Sequence, residues 1–252
     1  MRYLILSDVH ANVEALGAVL AHAARKKRDA VLFLGDAVGY GAAPNQVLER
    51  LRSLKGRVVS VRGNHDRVTL DASKGAVFFN SHARRAVEWA AGVLTPASRT
   101  FLKRLPVGPL SIDDDVAICH GSPADEDEYL LTEMEAFGAF RAGSAFVTFF
   151  GHSHVPSVFE LERQGDRASL SGYVLRGSRV TLDLHPSRRY LINPGSVGQP
   201  RDRDPRASYA MYDTQARRLT LFRVPYDVAA ARRRILAAGL PAILGDRLLH
   251  GA

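Results

Sequence analysis

Five apolar stretches of this chain each run directly into a short cluster of aspartate, asparagine, histidine and glycine residues. The clusters are Asp8-Val9-His10, Gly35-Asp36, Gly63-Asn64-His65-Asp66, His120-Gly121 and Gly151-His152-Ser153-His154. A short apolar stretch bounded by turn residues is typical of a buried β-strand, so each cluster is expected at the end of a strand. The pattern therefore predicts a sheet-based fold in which these polar side chains converge on one spot.

The converging side chains offer carboxylate oxygens, one amide oxygen and several imidazole nitrogens. Five of the nine histidines of the chain fall in these clusters. Calcium prefers oxygen ligands alone, and a structural zinc site usually contains cysteine sulfur. The mixture of donors instead suits a pair of first-row divalent metals.

Composition places the chain among ordinary globular proteins. Of its 252 residues, 46% are apolar and 24% are charged. The single cysteine, Cys119, allows no internal disulfide and is expected to be a buried apolar side chain. No recognisable signal sequence and no apolar run long enough for a bilayer are present, so a cytoplasmic protein without a membrane segment is expected.

The formal net charge of +8 is carried largely by arginine, since only five of the 34 basic residues are lysine. A positive field attracts phosphate-bearing substrates and also supports nucleic-acid binding. The basic residues are scattered, and no basic stretch is interleaved with aromatic residues. This distribution favours a general arginine bias, so nucleic acid is not the favoured partner.

The first part of the chain alternates strands and helices. Strands are predicted over residues 2–7, 30–34 and 57–61, with helices from Asn12 to about residue 24 and from Pro44 to about residue 54. This order is typical of parallel strands joined by right-handed helical connections.

The remaining chain predicts a helical segment over residues 69–104 and then further strands. Regularly spaced strands after His154 predict a second, mostly antiparallel sheet. A C-terminal helix is expected over about 227–249, interrupted at Gly239-Leu240-Pro241. Since no repeat, low-complexity run or linker divides the sequence, residues 1–252 are expected to form a single domain.

The order of the five clusters resembles the calcineurin-like metallophosphoesterases, in particular the small bacterial and archaeal phosphodiesterase-type members. The resemblance covers Asp8 to His154 and extends to the turn Asn193-Pro194-Gly195-Ser196. It implies an α/β fold in four layers (α-β-β-α), with two mixed β-sheets packed face to face and flanked by helices.

The resemblance also assigns metal ligands residue by residue. One ion is expected on Asp8, His10 and His154, and the other on Asn64, His120 and His152, with Asp36 bridging both. Two cations roughly 3.5–4 Å apart repel each other, so a bridging carboxylate and a shared hydroxide are expected between them. Manganese is the expected metal, while iron, zinc, nickel and magnesium also suit these donors.

Two neighbouring residues are the catalytic candidates. In the resembling family, the position of His65 contacts the phosphoryl group or protonates the leaving oxygen, and an imidazolium suits either role. Asp66 is expected to accept a hydrogen bond from the His65 ring and fix its tautomer, or merely to begin a turn.

Candidate substrate contacts are less sharply defined. They are Asn12, Tyr40, Arg62, Ser196 and Arg201. The alternatives are a helix cap for Asn12, core packing for Tyr40 and a strand end for Arg62. The segment 193–202 suits either an anion-binding loop with Arg201 on a phosphate, or a structural turn with Arg201 paired to Asp202.

The resemblance implies hydrolysis of a phosphodiester or a nucleotide-type phosphoester by a metal-bridging hydroxide. A phosphomonoesterase (including a protein phosphatase), a nuclease and a catalytically silent scaffold remain alternatives. Protein phosphatases of the superfamily carry Asp-Arg-Gly after the motif of the bridging aspartate. The matching stretch of this chain is Asp36-Ala37-Val38-Gly39-Tyr40-Gly41, which argues against phosphoprotein substrates. The helical segment is expected to cover the mouth of the site or to mediate homo-oligomer formation, with Phe78, Phe79 and Trp89 lining a cleft or packing in the core.

Overall fold

Two mixed β-sheets of six strands pack face to face in the computed structural model, which describes residues 1–75, 77, 79–165 and 167–252. In chain order the strands are β1 (Arg2–Leu6), β2 (Ala30–Phe33), β3 (Arg57–Ser60), β4 (Leu110–Ser111), β5 (Val116–Ile118), β6 (Val147–Phe149), β7 (Ser157–Gln164), β8 (Arg167–Val174), β9 (Arg179–Asp183), β10 (Arg188–Asn193), β11 (Ala207–Asp213) and β12 (Arg218–Val224). The first sheet has the order β3-β2-β1-β11-β12-β9, and the second has the order β4-β5-β6-β10-β7-β8. Phe78 lies outside the described residues.

Helices cover the outer faces of both sheets. In chain order the helices of the fold are α1 (Val13–Ala23), α2 (Pro44–Arg52), α3 (Asn64–Leu70), α4 (Ser81–Val93), α5 (Pro96–Lys103), α6 (Glu133–Ala142), α7 (Val228–Ala237) and α8 (Ala242–His250). Leu16 of α1 and Val47 of α2 pack on the first sheet, whereas Phe140 of α6 packs with the buried Cys119 on the second. Ile5 and Phe149 share the core between the sheets. The predicted four-layer arrangement is therefore confirmed.

Parallel pairing brings the polar clusters to one edge. In the first sheet, β1, β2 and β3 are parallel, with Ile5 opposite Leu32 and Leu32 opposite Val59. In the second sheet, β5, β6 and β10 are parallel. Because the carboxyl ends of parallel strands lie at the same edge of a sheet, the loops after β1, β2, β3, β5 and β6 lie together.

The prediction that the strands after His154 form one second sheet was wrong. Strands β7, β8 and β10 belong to the second sheet, but β9, β11 and β12 extend the first. Strand β11 pairs antiparallel with β1, with Leu4 opposite Met211, and so covers the other edge of β1. Hydrophobic alternation indicates a strand but carries no information about which sheet it joins.

Several helix ends follow the predicted signals. Asn12 caps α1 by accepting a hydrogen bond from the Ala15 N–H at 3.0 Å, and Asp227 caps α7 through the Ala230 N–H at 2.8 Å. Gly239, with φ of +67°, lies in the break between α7 and α8. Helix α3 begins at Asn64, upstream of the predicted helical segment. No helix among the described residues is long and apolar enough to span a bilayer.

Candidate metal centre and cleft

The loops at the carboxyl edges hold many of the candidate side chains on unusual backbone. Positive φ angles between 48° and 64° occur at Asp8, His10, Asp36, Tyr40, His152 and His154. Residues other than glycine rarely adopt this conformation, which costs of order 1–3 kcal/mol each and tends to concentrate at functional sites. The surrounding fold therefore holds this group of side chains in a strained and specific arrangement.

Two groups of potential metal ligands share one carboxylate. Asp8, His10, Asp36 and His154 form one group, and Asp36, His120 and His152 form the other. Within each group the donor atoms lie within 4.8 Å of one another, and every member is buried. The Asn64 Oδ1 lies 3.1 Å from His120 Nε2, so the amide oxygen adjoins the second group. The structure thus brings together all seven residues proposed as ligands from the sequence.

Three histidines of the site are fixed as neutral rings with one nitrogen left for a ligand role. Nδ1 of His10 and of His154 lie 3.0 and 2.6 Å from the carbonyl oxygens of Val38 and Gln199, and His152 Nε2 lies 3.1 Å from that of Asp127. Because a carbonyl only accepts, each of these nitrogens carries the proton. Burial lowers the pKa of His10 to about 4 and that of His152 to about 3, and it lowers the pKa of His154 as well. Protein-bound metals are commonly held by histidines oriented in this way.

Asp36 lies at the junction of the two groups. Its Oδ1 accepts a hydrogen bond from the His65 N–H at 2.9 Å. Its Oδ2 lies 3.5 Å from His10 Nε2 and 3.4 Å from His120 Nε2, without a well-formed hydrogen bond among the described residues. Burial opposes ionisation of Asp36, but the neighbouring imidazoles, His120 foremost, outweigh it and lower its pKa. The position fits a carboxylate shared by two cations.

His120 differs from the other histidines because of this carboxylate. Burial disfavours its charged form, but the attraction of Asp36 outweighs burial and raises the pKa of His120 to about 10. Its Nδ1 lies 2.8 Å from the Leu34 carbonyl oxygen, so Nε2 is the nitrogen directed at the shared carboxylate. A metal bound through Nε2 would displace the proton that this nitrogen carries in the charged ring.

Asp66 does not make the hydrogen bond to the His65 ring that was expected from the sequence. Its carboxylate accepts four backbone hydrogen bonds instead, from the N–H groups of Asp36, Ala37, Val38 and Gly63 at 2.9 to 3.2 Å. Burial and the nearby Asp36 charge raise the pKa of Asp66 to about 7. Since four donors converge on it, Asp66 shapes the loop that carries Asp36.

His65 lies beside the donor groups and faces a cleft. Its ring contacts Tyr40 and Phe79, each with a centroid distance of 4.5 Å, and its Nδ1 has no hydrogen-bond partner in the described parts of the chain. Burial lowers the pKa of His65 well below its usual value. Gly39, with φ of +94°, passes so close that a Cβ there would collide with the His65 ring. The ring is therefore a neutral imidazole, and tight packing fixes its position.

A cleft of about 390 Å³ opens next to the donor groups. Asn64, His65 and His152 line it together with the aromatic side chains of Tyr40, Phe79 and Tyr129, and Arg67 and Asp127 also line it. The Tyr129 ring lies on His152, with a centroid distance of 3.9 Å. A small organic phosphoester fits a concavity of this size and character.

Three of the five predicted substrate contacts are occupied by structural interactions. Asn12 caps α1 and donates to the Gly198 carbonyl oxygen at 2.9 Å. Ser196 Oγ donates to the Asp8 carbonyl oxygen at 2.8 Å and accepts from the Gln199 N–H at 2.7 Å. The Arg62 guanidinium pairs with both carboxylate oxygens of Glu126, at 3.3 and 2.9 Å. These side chains hold the loops around the site.

The other two predicted contacts, Tyr40 and Arg201, adjoin each other, and Tyr40 lines the cleft. Arg201 Nη2 donates to the Tyr40 hydroxyl and to Gln199 Oε1, each at 3.1 Å. The alternative pairing of Arg201 with Asp202 was wrong, because Asp202 forms an ion pair with Arg223. The Tyr40 ring also contacts His10, with a centroid distance of 4.7 Å.

Ion pairs that the sequence did not predict hold the part of the cleft wall formed by Arg67 and Asp127. Arg67 of α3 pairs with Glu126 and with Asp127, the latter through Nη2 at 2.8 and 2.9 Å. The Asp127 carbonyl oxygen in turn orients His152. The acidic stretch around Glu126 and Asp127 predicts only a loop from the sequence, and no local pattern indicates that these residues pair with Arg67 of α3.

The family model described as "Calcineurin-like phosphoesterase superfamily domain" matches residues 1–217. The chain belongs to this superfamily. Its sequence is 35% identical over 254 residues to "Uncharacterized protein MJ0912" of Methanocaldococcus jannaschii, covering 98% of this chain and 97% of that protein. Membership places the chain among phosphoester hydrolases, and the buried His and Asp groups are able to bind metal.

Solved structures agree with this placement. A metallophosphoesterase from Sphaerobacter thermophilus superposes with a TM-score of 0.84 at 38% identity, covering 100% of both chains. The hypothetical protein PH1004 from Pyrococcus horikoshii OT3 superposes with a TM-score of 0.79 at 19% identity, covering 100% of this chain and 98% of that one. The second likeness concerns the fold alone. Proteins with this whole-chain fold thus occur in bacteria and archaea.

Proposed function

We propose that this calcineurin-like phosphoesterase is a dinuclear-metal enzyme that hydrolyses a phosphodiester or a nucleotide-type phosphoester. The observation that carries the proposal is the sharing of Asp36 by two buried donor groups. Nε2 of His10 and His154 face each other at 2.9 Å while their Nδ1 atoms are directed at carbonyl oxygens. Two unprotonated nitrogens at this distance suit a cation that both of them bind.

The residues present fit two divalent ions. Asp8, His10 and His154 would hold one ion, Asn64, His120 and His152 the other, and Asp36 both. When bound, such a pair lowers the pKa of a shared water from ~15.7 towards ~7 and neutralises charge on the phosphoryl group. Manganese is proposed as the metal, with iron, zinc, nickel or magnesium as alternatives, since all accept this mixture of donors.

His65 is proposed to act on the phosphoryl group from the cleft side. Its backbone N–H is fixed by Asp36 and its ring by Tyr40 and Phe79. A neutral imidazole donates one hydrogen bond to a phosphoryl or leaving-group oxygen, and a nearby phosphate anion raises its pKa and so favours proton transfer. Asp66 is proposed to act indirectly, by holding the Asp36 loop.

The placement of the basic residues favours a small ester over a polymer. A surface hollow is lined by Arg25, Lys26, Lys27, Arg28 and Lys55. These residues precede β2 and β3, whereas the donor groups follow those strands. The hollow therefore lies at the end of the first sheet opposite to the metal centre. A nuclease needs its positive charge along the track that leads the polymer to the reacting phosphate.

The proposal is tested with bis-p-nitrophenyl phosphate as substrate and manganese-loaded protein. Asp36→Asn is expected to lower kcat/KM by about 10²-fold or more, and His65→Ala by about 10²- to 10⁴-fold. Circular dichroism checks that both variants fold, and His82→Ala, an exposed histidine of α4, serves as the control. Wild-type rates in both variants, or no turnover of any phosphoester by the loaded wild-type protein, contradict the proposal.

A further inference from the structure

A second cationic site lies next to the proposed metal centre. The guanidinium carbons of Arg201 and Arg247 lie 5.6 and 5.9 Å from the centre of the Tyr40 ring. Arg201 belongs to the loop after β10, and Arg247 belongs to α8 near the C-terminus. Two distant parts of the chain therefore place two guanidinium groups around one aromatic ring.

Within the described ranges, Arg201 forms no ion pair with a carboxylate. Arg201 bonds to the neutral Tyr40 and Gln199 side chains, and its buried Nε has no hydrogen-bond partner there. Arg247 Nε donates to the Ala252 carbonyl oxygen at 2.6 Å. Most other buried or half-buried arginines nearby have acidic partners, as Arg67, Arg206 and Arg223 do.

Two guanidinium groups beside one aromatic ring repel each other. Burial lowers the pKa of Arg247, and the charge of Arg201 lowers it further. Buried charges are normally paired, because an unpaired one loses its hydration without gaining a partner. An anion that arrives with the substrate would supply the missing charge, and the planar fork of a guanidinium matches phosphate oxygens well.

The site adjoins the cleft through Tyr40. This residue lines the cleft, and its hydroxyl accepts a hydrogen bond from Arg201. The Tyr40 ring contacts Arg201 and also the His10 and His65 rings, whose centroids lie 4.7 and 4.5 Å from its own. A group bound to the arginines would thus lie one aromatic ring away from the proposed metal centre.

The C-terminal helices that contribute Arg247 lie outside the residues matched by the family model, which end at 217. Helices α7 and α8 pack against Tyr40 and α4 through a cluster that includes Ala231, Ile235 and Leu244. Arg247 is therefore held at the site by a segment that the general family pattern does not include.

We propose that Arg201 and Arg247 bind a second phosphoryl group of the substrate, separate from the one that is hydrolysed. The substrate class is then a phosphoester that carries an additional phosphate a few bonds away, such as a nucleoside bisphosphate ester or an oligophosphate. This inference rests on the proposed phosphoesterase function and narrows its substrate.

The test compares two chromogenic substrates that differ only in the second phosphate. They are thymidine 5′-(p-nitrophenyl phosphate) and the same compound with a 3′-phosphate. Charge-assisted hydrogen bonds to the second phosphate stabilise the bound ester, so wild-type kcat/KM is expected to favour the bisphosphate by about tenfold or more. In Arg247→Gln and Arg201→Gln this ratio is expected to fall towards one, and in Arg247→Lys to an intermediate value. Arg233→Gln, an exposed position on α7, is expected to keep the wild-type ratio.

A binding measurement separates this inference from the proposed function. Calorimetry on manganese-loaded protein gives dissociation constants for thymidine 5′-monophosphate and thymidine 3′,5′-bisphosphate, and the same tenfold preference and its loss in Arg247→Gln are expected. Preferential binding without turnover of either ester supports the second site while contradicting the proposed function. Turnover with equal kcat/KM for both esters, or a full preference retained in folded Arg247→Gln, overturns the second site and leaves the proposed function intact.

Discussion

Nε2 of His10 and Nε2 of His154 lie 2.9 Å apart although the residues are separated by 144 positions in the chain. The opposite nitrogen of each ring is directed at a backbone carbonyl oxygen, so the facing nitrogens are both acceptors. Two acceptors in contact repel each other unless both bind one cation or share a proton. This pair is the clearest local sign of a metal position.

Removal of either ring is expected to empty one metal position selectively. His154→Ala deletes a donor from the group containing Asp8 but leaves the group containing His120 intact. Elemental analysis after manganese loading and gel filtration is therefore expected to show about one ion less per chain than wild type. An unchanged metal content in His154→Ala, with His82→Ala as control, contradicts the assignment.

Asp66 is expected to stabilise the loop that carries the shared carboxylate. Asp66→Ala leaves four buried backbone N–H groups without their acceptor, and the free energy of unfolding should fall by about 2 kcal/mol or more. Asp66→Asn keeps one acceptor oxygen and should cost less. Denaturant unfolding of the metal-free proteins measures both changes. Equal stability of Asp66→Ala and wild type would show that the loop carrying Asp36 does not depend on the Asp66 carboxylate.

Two glycines with similar backbone conformations offer a matched comparison. Gly39 and Gly56 have φ of +94° and +88°, so alanine should strain either position by about 1–2 kcal/mol. A Cβ at Gly39 meets the His65 ring, whereas a Cβ at Gly56 meets nothing within 4 Å. Gly39→Ala is therefore expected to lower kcat strongly and Gly56→Ala to affect stability alone. Similar kcat values for the two variants argue against a catalytic role of the His65 position.

The ion pairs of Arg67 are expected to contribute more to metal retention than the exposed ion pair between Arg84 and Glu88. Arg67→Gln releases the loop whose Asp127 carbonyl oxygen orients His152, so retention of metal should weaken. Arg84→Gln removes only the exposed contact to Glu88 at 4.0 Å, which should contribute about 0–1 kcal/mol. Metal release during dialysis against a weak chelator compares the two variants, and equal release rates refute the role given to Arg67.

Much of the fold and the identity of the clustered residues can be predicted from the sequence, because short motifs at strand ends are local features. Asp8, Asp36 and His120 each follow a recognisable strand. The sheet that β9 joins could not be predicted, since alternation does not specify a neighbour. The positive φ of Asp8 and the hydrogen-bond partners of Asp66 also depend on how the loops assemble, so neither could be predicted from the neighbouring sequence.

Arg247 illustrates the same limit more sharply. It lies in a helix with several other arginines nearby, and nothing in its sequence neighbourhood distinguishes it from an exposed side chain. Only the packing of α7 and α8 against Tyr40 places it beside Arg201. Long-range packing of this kind leaves no short motif, whereas a metal ligand set does.

The most direct test of the central claim is diffraction from manganese-soaked crystals at the manganese absorption edge. Two anomalous peaks about 3.5–4 Å apart are expected, one on each side of the Asp36 carboxylate. One of them should adjoin His10 and His154, and the other His120 and His152. A single peak, or none with these side chains turned away from each other, contradicts a two-metal centre shared by Asp36.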